Sequence, residues 1–228
     1  MRPVALRVLW MALPIAAGCH TPSPQAIPPG VCPELPLQDP ATIGVDFVWE
    51  QRIDAIYPHA PGIHSVRVVV EKRGALLTIV GLSPFGTRTF TLRQIGAEVL
   101  DGGAGETTPT PFPPRWVLAD LHRAIFLDPQ PAAPATGSHR HSWHAARIHD
   151  VWRRGGLQRR VVAGPYCPRG SLTITFAQPW KRWQQPPPQI SLRQHPLGYR
   201  LCITTLSYHL LQTPTAPEQA GKGVVVAP

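Results

Sequence analysis

The sequence is short of charge, of acidic residues in particular, and of cysteine. Charged side chains are 15% of the 228 residues and hydrophobic ones 43%, which excludes a largely unfolded chain and predicts one domain with tails. Asp and Glu total 13 against 22 Lys and Arg, a net charge of +9; removal of residues 1–18 leaves about +7. The basic residues scatter along the expected strands, so nucleic acid is not an expected partner. Anionic lipid headgroups and general solubility remain as explanations. The four cysteines contain no Cys-x-x-Cys zinc pattern. If Cys19 is committed elsewhere, an odd number remains; Cys167 and Cys202 read as free, buried thiols, and the pairing of Cys32 stays open. There is no Gly-x-Ser-x-Gly elbow, no His-Glu-x-x-His helix and no phosphate loop. Asp120 and His122 stand two apart on an expected helix and face different ways, and Glu50 and Asp54 face outward on an expected strand. No enzyme activity and no cofactor are expected.

Proline, by contrast, is abundant, at 29 residues. It clusters at Pro22 to Pro40, Pro109 to Pro114, Pro129 to Pro134, Pro186 to Pro188 and Pro214 to Pro228. Proline donates no hydrogen bond to a helix or a sheet, so these clusters mark linkers and boundaries.

The N-terminus carries a targeting pattern. Arg2 and Arg7 precede an apolar run, Val8 to Ala17; at about ten residues it has signal-peptide length and cannot span a bilayer, which takes roughly 18–20. Ala16-Ala17-Gly18-Cys19 follows and resembles the bacterial lipobox, with Ala16 where leucine is usual. That resemblance implies cleavage before Cys19 and lipidation of its thiol. His20 in place of aspartate implies sorting to the outer membrane. The expected organisation is a signal peptide over 1–18, a Pro-rich tether over 19–44, a folded domain over 45–210 and a disordered tail over 211–228.

Within the domain, strand signals dominate. Phe47, Trp49, Ile53, Ala55 and Tyr57 fall on alternate positions, as do His64, Val66, Val68 and Val70. Short turns at Lys72-Arg73-Gly74, Gly81 to Gly86 and Gly96 predict an antiparallel meander. Between Pro113 and Leu127 the period changes. Val117, Leu118, Leu121, Ala124 and Ile125 share one helical face, with Pro114 suited to the first turn. A loop rich in Ala, Pro and His follows, then strands over 145–153, 157–163, 171–177, 189–194 and 198–208. The expectation is a mainly β fold of about ten strands with one inserted helix packed on the concave side of a curled sheet.

Three motifs carry a family resemblance: Leu76-Leu77-Thr78-Ile79-Val80-Gly81-Leu82-Ser83-Pro84-Phe85-Gly86, Trp116-Val117-Leu118-Ala119-Asp120-Leu121 and Gly198-Tyr199-Arg200-Leu201-Cys202-Ile203-Thr204. Together they resemble the LolB-like family of bacterial outer-membrane lipoproteins, and most closely a branch known as a domain of unknown function. The resemblance spans roughly residues 46–208. It implies an unclosed antiparallel half-barrel whose cavity holds acyl chains. It also implies a protruding apolar residue that helps deliver cargo to the membrane, here Phe85 within Pro84-Phe85-Gly86. A large apolar side chain at a hairpin tip needs lipid, protein or its own core to cover it.

The remaining motifs admit bland readings. His139, His141, His144 and His149 form a His-rich tract with few carboxylates nearby, and no metal site is expected there. Trp143 and Trp152, with Arg153, Arg154, Arg159 and Arg160, suit a lipid interface or surface cation–π packing, as do Trp180, Lys181, Arg182 and Trp183.

The expected function is that of a lipid-anchored lipoprotein on the periplasmic face of the outer membrane, acting as a monomer. Palmitate is expected in the anchor at Cys19, and acyl chains or lipidated cargo would occupy a cavity lined by Val66, Val68, Val70, Leu77, Ile79, Phe90, Leu92, Leu172, Ile174 and Ile203. The expected partners are membrane lipids or lipidated cargo and a soluble periplasmic carrier. The alternative is a structural accessory lipoprotein of a membrane assembly, docked by a basic face and without a cargo cavity.

Overall fold

The computed structural model describes residues 34–58, 60–104, 114–127, 135–166, 170–181, 186–195 and 197–211. Cys19, Cys32 and Cys167 lie outside them, as do Arg182 and Trp183.

Eleven strands form one antiparallel sheet. The first five are β1 (Asp46–Tyr57), β2 (Ala60–Arg73), β3 (Leu76–Leu82), β4 (Arg88–Ile95) and β5 (Glu98–Ala104). The rest are β6 (Gly137–Trp143), β7 (Ala146–Arg153), β8 (Gly156–Gly164), β9 (Gly170–Trp180), β10 (Gln189–Gln194) and β11 (Arg200–Leu211). Each half is a meander, and the two halves join where β1 pairs with β11, so the spatial order is β5-β4-β3-β2-β1-β11-β10-β9-β8-β7-β6. β5 and β6 are the two edges, and the sheet does not close. The expected unclosed half-barrel with one helix is what forms, with one strand more than expected.

The added strand is β6. Residues 137–143 read as a His-rich loop in sequence, yet they pair along their length with β7. The segment Gly-Ser-His-Arg-His-Ser-Trp is an edge strand whose positions are all exposed or half-buried. Its partner strand, which alternates buried with more exposed positions, fixes its conformation.

Inward positions follow the two-residue strand period. Phe47, Trp49 and Ile53 of β1 meet Val68 and Val70 of β2, Leu77 and Ile79 of β3, and Phe90 and Leu92 of β4 in one apolar layer, all buried. Register slips at Glu50/Gln51, Gly81/Leu82, Phe90/Leu92, Val151/Trp152 and Leu157/Arg159 insert bulges that bend the strands. Gly81 is obligatory at one of them: a Cβ there would overlap the Phe90 ring.

Helix α1 (Pro114–Leu121) begins at a proline, whose missing N–H costs nothing at a helix start. It continues into a π-helical turn, His122–Phe126, closed by Leu127 N–H donating to His122 O at 2.8 Å. Both halves of the sheet hold this segment. From the first, Gln94 of β4 meets His122 at 2.8 Å. From the second, Arg160 of β8 donates to Leu127 O at 2.7 Å. The sheet therefore wraps around the helix, which lies on its concave face. The stretch before β1, whose sequence reads as part of the tether, also packs here: Leu35 and Ile43 are buried, and Trp143 of β6 donates to Pro36 O at 3.4 Å.

Candidate acyl-binding site

Helix and sheet do not meet flush. Between α1 and strands β1, β2, β3 and β11 lies an apolar pocket with about 650 Å³ of empty space, its open mouth included. The helix contributes Trp116, Val117, Asp120, Leu121, Ala124 and Ile125. The sheet contributes Gln51, Ile53, Tyr57, Val68, Val70, Ile79, Leu201 and Ile203, and Tyr199 stands just before β11.

Of the cavity residues expected from sequence, Val68, Val70, Ile79 and Ile203 line this pocket. Leu77, Phe90, Leu92, Leu172 and Ile174 are fully buried in the surrounding core, and Val66 is half-buried beside it. Sequence reasoning missed the helical wall, although the apolar stripe of Leu121, Ala124 and Ile125 was its signal. It also missed Gln51, which sits at an inward position of β1 where the alternation calls for an apolar residue.

Polar groups at the rim brace the helix. Tyr199 donates to Asp120 Oδ2 at 2.7 Å and Arg123 to Asp120 Oδ1 at 3.1 Å, with all three side chains buried. Burial pushes the Asp120 carboxyl up, against the opposing pull of Arg123 and of the Tyr199 hydrogen bond. Burial and the nearby Asp120 charge push the Tyr199 and Tyr57 phenols up as well, so both stay neutral. On the other face of the helical segment, Gln38 N–H donates to His122 Nδ1 at 3.2 Å, which leaves Nε2–H to donate to Gln94 Oε1 at 2.8 Å. This neutral imidazole is pushed down to about 3 by burial.

The Pro84-Phe85-Gly86 turn projects its apolar residue into solvent: Phe85 is 95% exposed. Gly86 N–H donates to Ser83 O at 2.9 Å, closing a turn with Pro84 at its second position, and Gly86 adopts φ +81°. Ser83 Oγ accepts from Phe85 N–H and Thr87 N–H. These bonds hold the phenyl ring away from the sheet. Because β3 runs alongside β1 with β2 between them, this tip lies at the same end of the sheet as Tyr57.

The other residues singled out in the sequence take the following places. Arg160 is not an interfacial cation; it is fully buried and paired with Asp150. Trp152 is buried and Trp143 half-buried, so these rings pack inward. His139 and His141 stack at 5.4 Å along β6, and among the described residues no group of three metal-ligating side chains assembles. Cys202 is a free, half-buried thiol near Gln189 Nε2 at 2.9 Å. Glu50 and Asp54 stand on the outer face, where Glu50 pairs with Arg67 and Asp54 with Arg52.

Solved structures to which the chain is similar include a LolA superfamily protein from Nitrosomonas europaea (10% identity, TM-score 0.45, covering 79% of this chain and 90% of that one). A DUF1329 family protein from Desulfovibrio piger has 8% identity and a TM-score of 0.37, covering 75% and 87%. An outer-membrane lipoprotein-sorting protein domain from Vibrio parahaemolyticus has 9% identity and a TM-score of 0.36, covering 76% and 88%. A search of curated proteins finds no match. The model of a family described as a protein of unknown function, DUF3261, matches residues 48–207, nearly the whole of the sheet and its helix. The chain is a member of the DUF3261 family.

Proposed function

We propose that this chain is a lipid-anchored periplasmic lipoprotein that takes acyl chains, or cargo bearing them, into the pocket beneath α1 and helps deliver them to the outer membrane. The observation that carries the reading is the pocket itself, walled almost wholly by aliphatic and aromatic side chains of α1 and the concave sheet. Apolar surface of this extent gains by exchanging water for hydrocarbon, at roughly 25 cal/mol per Å². No covalent step is needed, because transfer requires only an affinity gradient from donor to this site and onward. Lipidation at Cys19 would hold the domain at the membrane, since each buried methylene contributes about 0.8 kcal/mol. Phe85 would lead the domain into the bilayer surface.

The test is lipid extraction from the full chain carrying Cys19→Ala, so that no anchor of its own enters the pocket. Mass spectrometry should find stoichiometric acyl lipid. Protein that emerges lipid-free and takes up none from mixed micelles contradicts the reading.

A second reading, an accessory lipoprotein docked by a basic outer face, draws on Arg193 and Arg200. They stand directly opposite across β10 and β11, both exposed, and among the described residues neither has a carboxylate partner. Like charges so placed oppose folding unless an anionic surface meets them.

A further inference from the structure

The pocket holds one polar group that the fold leaves unanswered. Gln51 is 1% exposed and lines the pocket among Ile53, Val68, Val70 and Ile203. Its Nε2 is buried and has no hydrogen-bond partner. Leaving such a donor unsatisfied costs about 1–3 kcal/mol, whereas an apolar residue of the same size would cost nothing. The strand is locally rebuilt at this point. Glu50 pairs with Ser207 but Gln51 pairs with Thr205, so Leu206 is the extra residue of a bulge directly beside Gln51. Bulges of this kind re-aim side chains next to ligand sites.

The surroundings narrow what Gln51 could meet. Among the described residues lining the pocket there is no lysine, arginine or histidine, and the one carboxylate, Asp120, is already held by Tyr199 and Arg123. A free fatty-acid anion would enter with no counter-charge and with Asp120 nearby. A carbonyl oxygen needs only a donor.

We infer that the ligand is a neutral acyl ester or amide, and that Gln51 Nε2 donates to its carbonyl oxygen while the chain lies along Val68, Val70 and Ile203. The inference rests on the acyl-binding reading above and specifies the chemical class that the site selects. An ester carbonyl of this kind belongs equally to a glycerolipid and to the diacylglyceryl group of a lipidated protein.

Isothermal titration of the full chain carrying Cys19→Ala tests it with two probes that differ only in the carbonyl: 1-monolauroylglycerol and 1-O-dodecylglycerol, each below its micelle concentration. The ester should bind about tenfold more tightly than the ether, as expected for one hydrogen bond to an otherwise unsatisfied buried donor. Laurate should bind more weakly than the ester. In Gln51→Leu, and in Gln51→Met as a second shape, the ester should fall to the affinity of the ether, and the ether should bind as before. Thermal melting should show both variants at least as stable as the parent, because no protein partner is lost. A dipalmitoyl-S-glyceryl-cysteine peptide distinguishes the sources: tighter binding than the monoester assigns the site to lipidated protein, and equal binding assigns it to glycerolipid. Equal binding of ester and ether, or an ester advantage that survives Gln51→Leu, overturns the role of Gln51 and leaves the pocket reading intact. Failure of both probes to bind overturns the pocket reading itself.

Discussion

Arg160 donates from Nε and Nη2 to the two carboxylate oxygens of Asp150, each at 2.8 Å, and neither side chain reaches solvent. The same guanidinium turns its Nη1 to Leu127 O, the end of the π-helical turn. A fully buried, bidentate ion pair on β7 and β8 thus caps the segment that roofs the pocket. Removing one partner strands the other charge in the interior. Asp150→Asn and Arg160→Met should each destabilise the domain by about 3–5 kcal/mol in urea unfolding. The double variant Asp150→Leu/Arg160→Met should recover much of that loss, and a loss equal to the sum of the singles would contradict this account.

His122 makes stability depend on pH. Its folded value lies near 3, below the unfolded value of 6.5, so the unfolded chain takes up a proton first as pH falls. The stability it contributes is whole above 6.5 and is lost progressively down to about 3. Between pH 7 and 5 the loss should be about 2 kcal/mol, and His122→Asn should lack it. The difference between parent and variant isolates this group. Asp120, whose carboxyl is pushed up, works in the opposite sense as pH rises above 3.8, and Asp46, held low by Lys72, adds its loss only below that value. Urea midpoints across this range provide the measurement.

The bulge at Gly81 leaves no room for a side chain, because the buried Phe90 ring covers the Cα. Gly81→Ala should destabilise by about 1–3 kcal/mol, the cost of overpacking. Combining it with Phe90→Leu should return part of that loss.

Phe85 contacts little and should contribute little to folding. Phe85→Ala should shift stability by no more than about 0.5 kcal/mol. Its partition to anionic phospholipid vesicles should fall by roughly tenfold or more, since burying a phenyl ring is worth about 1.5–3 kcal/mol. Unchanged vesicle binding would remove Phe85 from the delivery step.

Much of this architecture is legible in the chain because strands with one buried face announce themselves. Val66 and Val68 alternate with Ser65 and Arg67, and the change of period at Val117 to Ile125 marks the helix. Edge strand β6 is not legible, because its half-buried face is made of His139, His141 and Trp143, and only Trp143 gives an apolar signal. The pocket is only half legible. Leu77 and Ile79 share one face of β3 and look equivalent in sequence, yet Ile79 lines the pocket and Leu77 packs in solid core. That distinction depends on where α1 crosses the sheet, which long-range contacts such as His122–Gln94 and Arg160–Leu127 decide. Inward polar residues on apolar faces are the less legible signal: Gln51, Asp150 and Arg160 all break the alternation, Asp150 and Arg160 because they answer each other, whereas Gln51 Nε2 has no partner among the described residues.

The most direct test of the central claim, that acyl chains occupy the space between α1 and the concave sheet, is photolabelling with a neutral acyl ester carrying a diazirine near its chain terminus. Tryptic mass spectrometry should place the label on residues 116–125 and on β1, β2 or β11, and Ala124→Trp, which fills the space, should abolish it. Labelling confined to the outer face of the sheet, or unaffected by Ala124→Trp, would contradict the account.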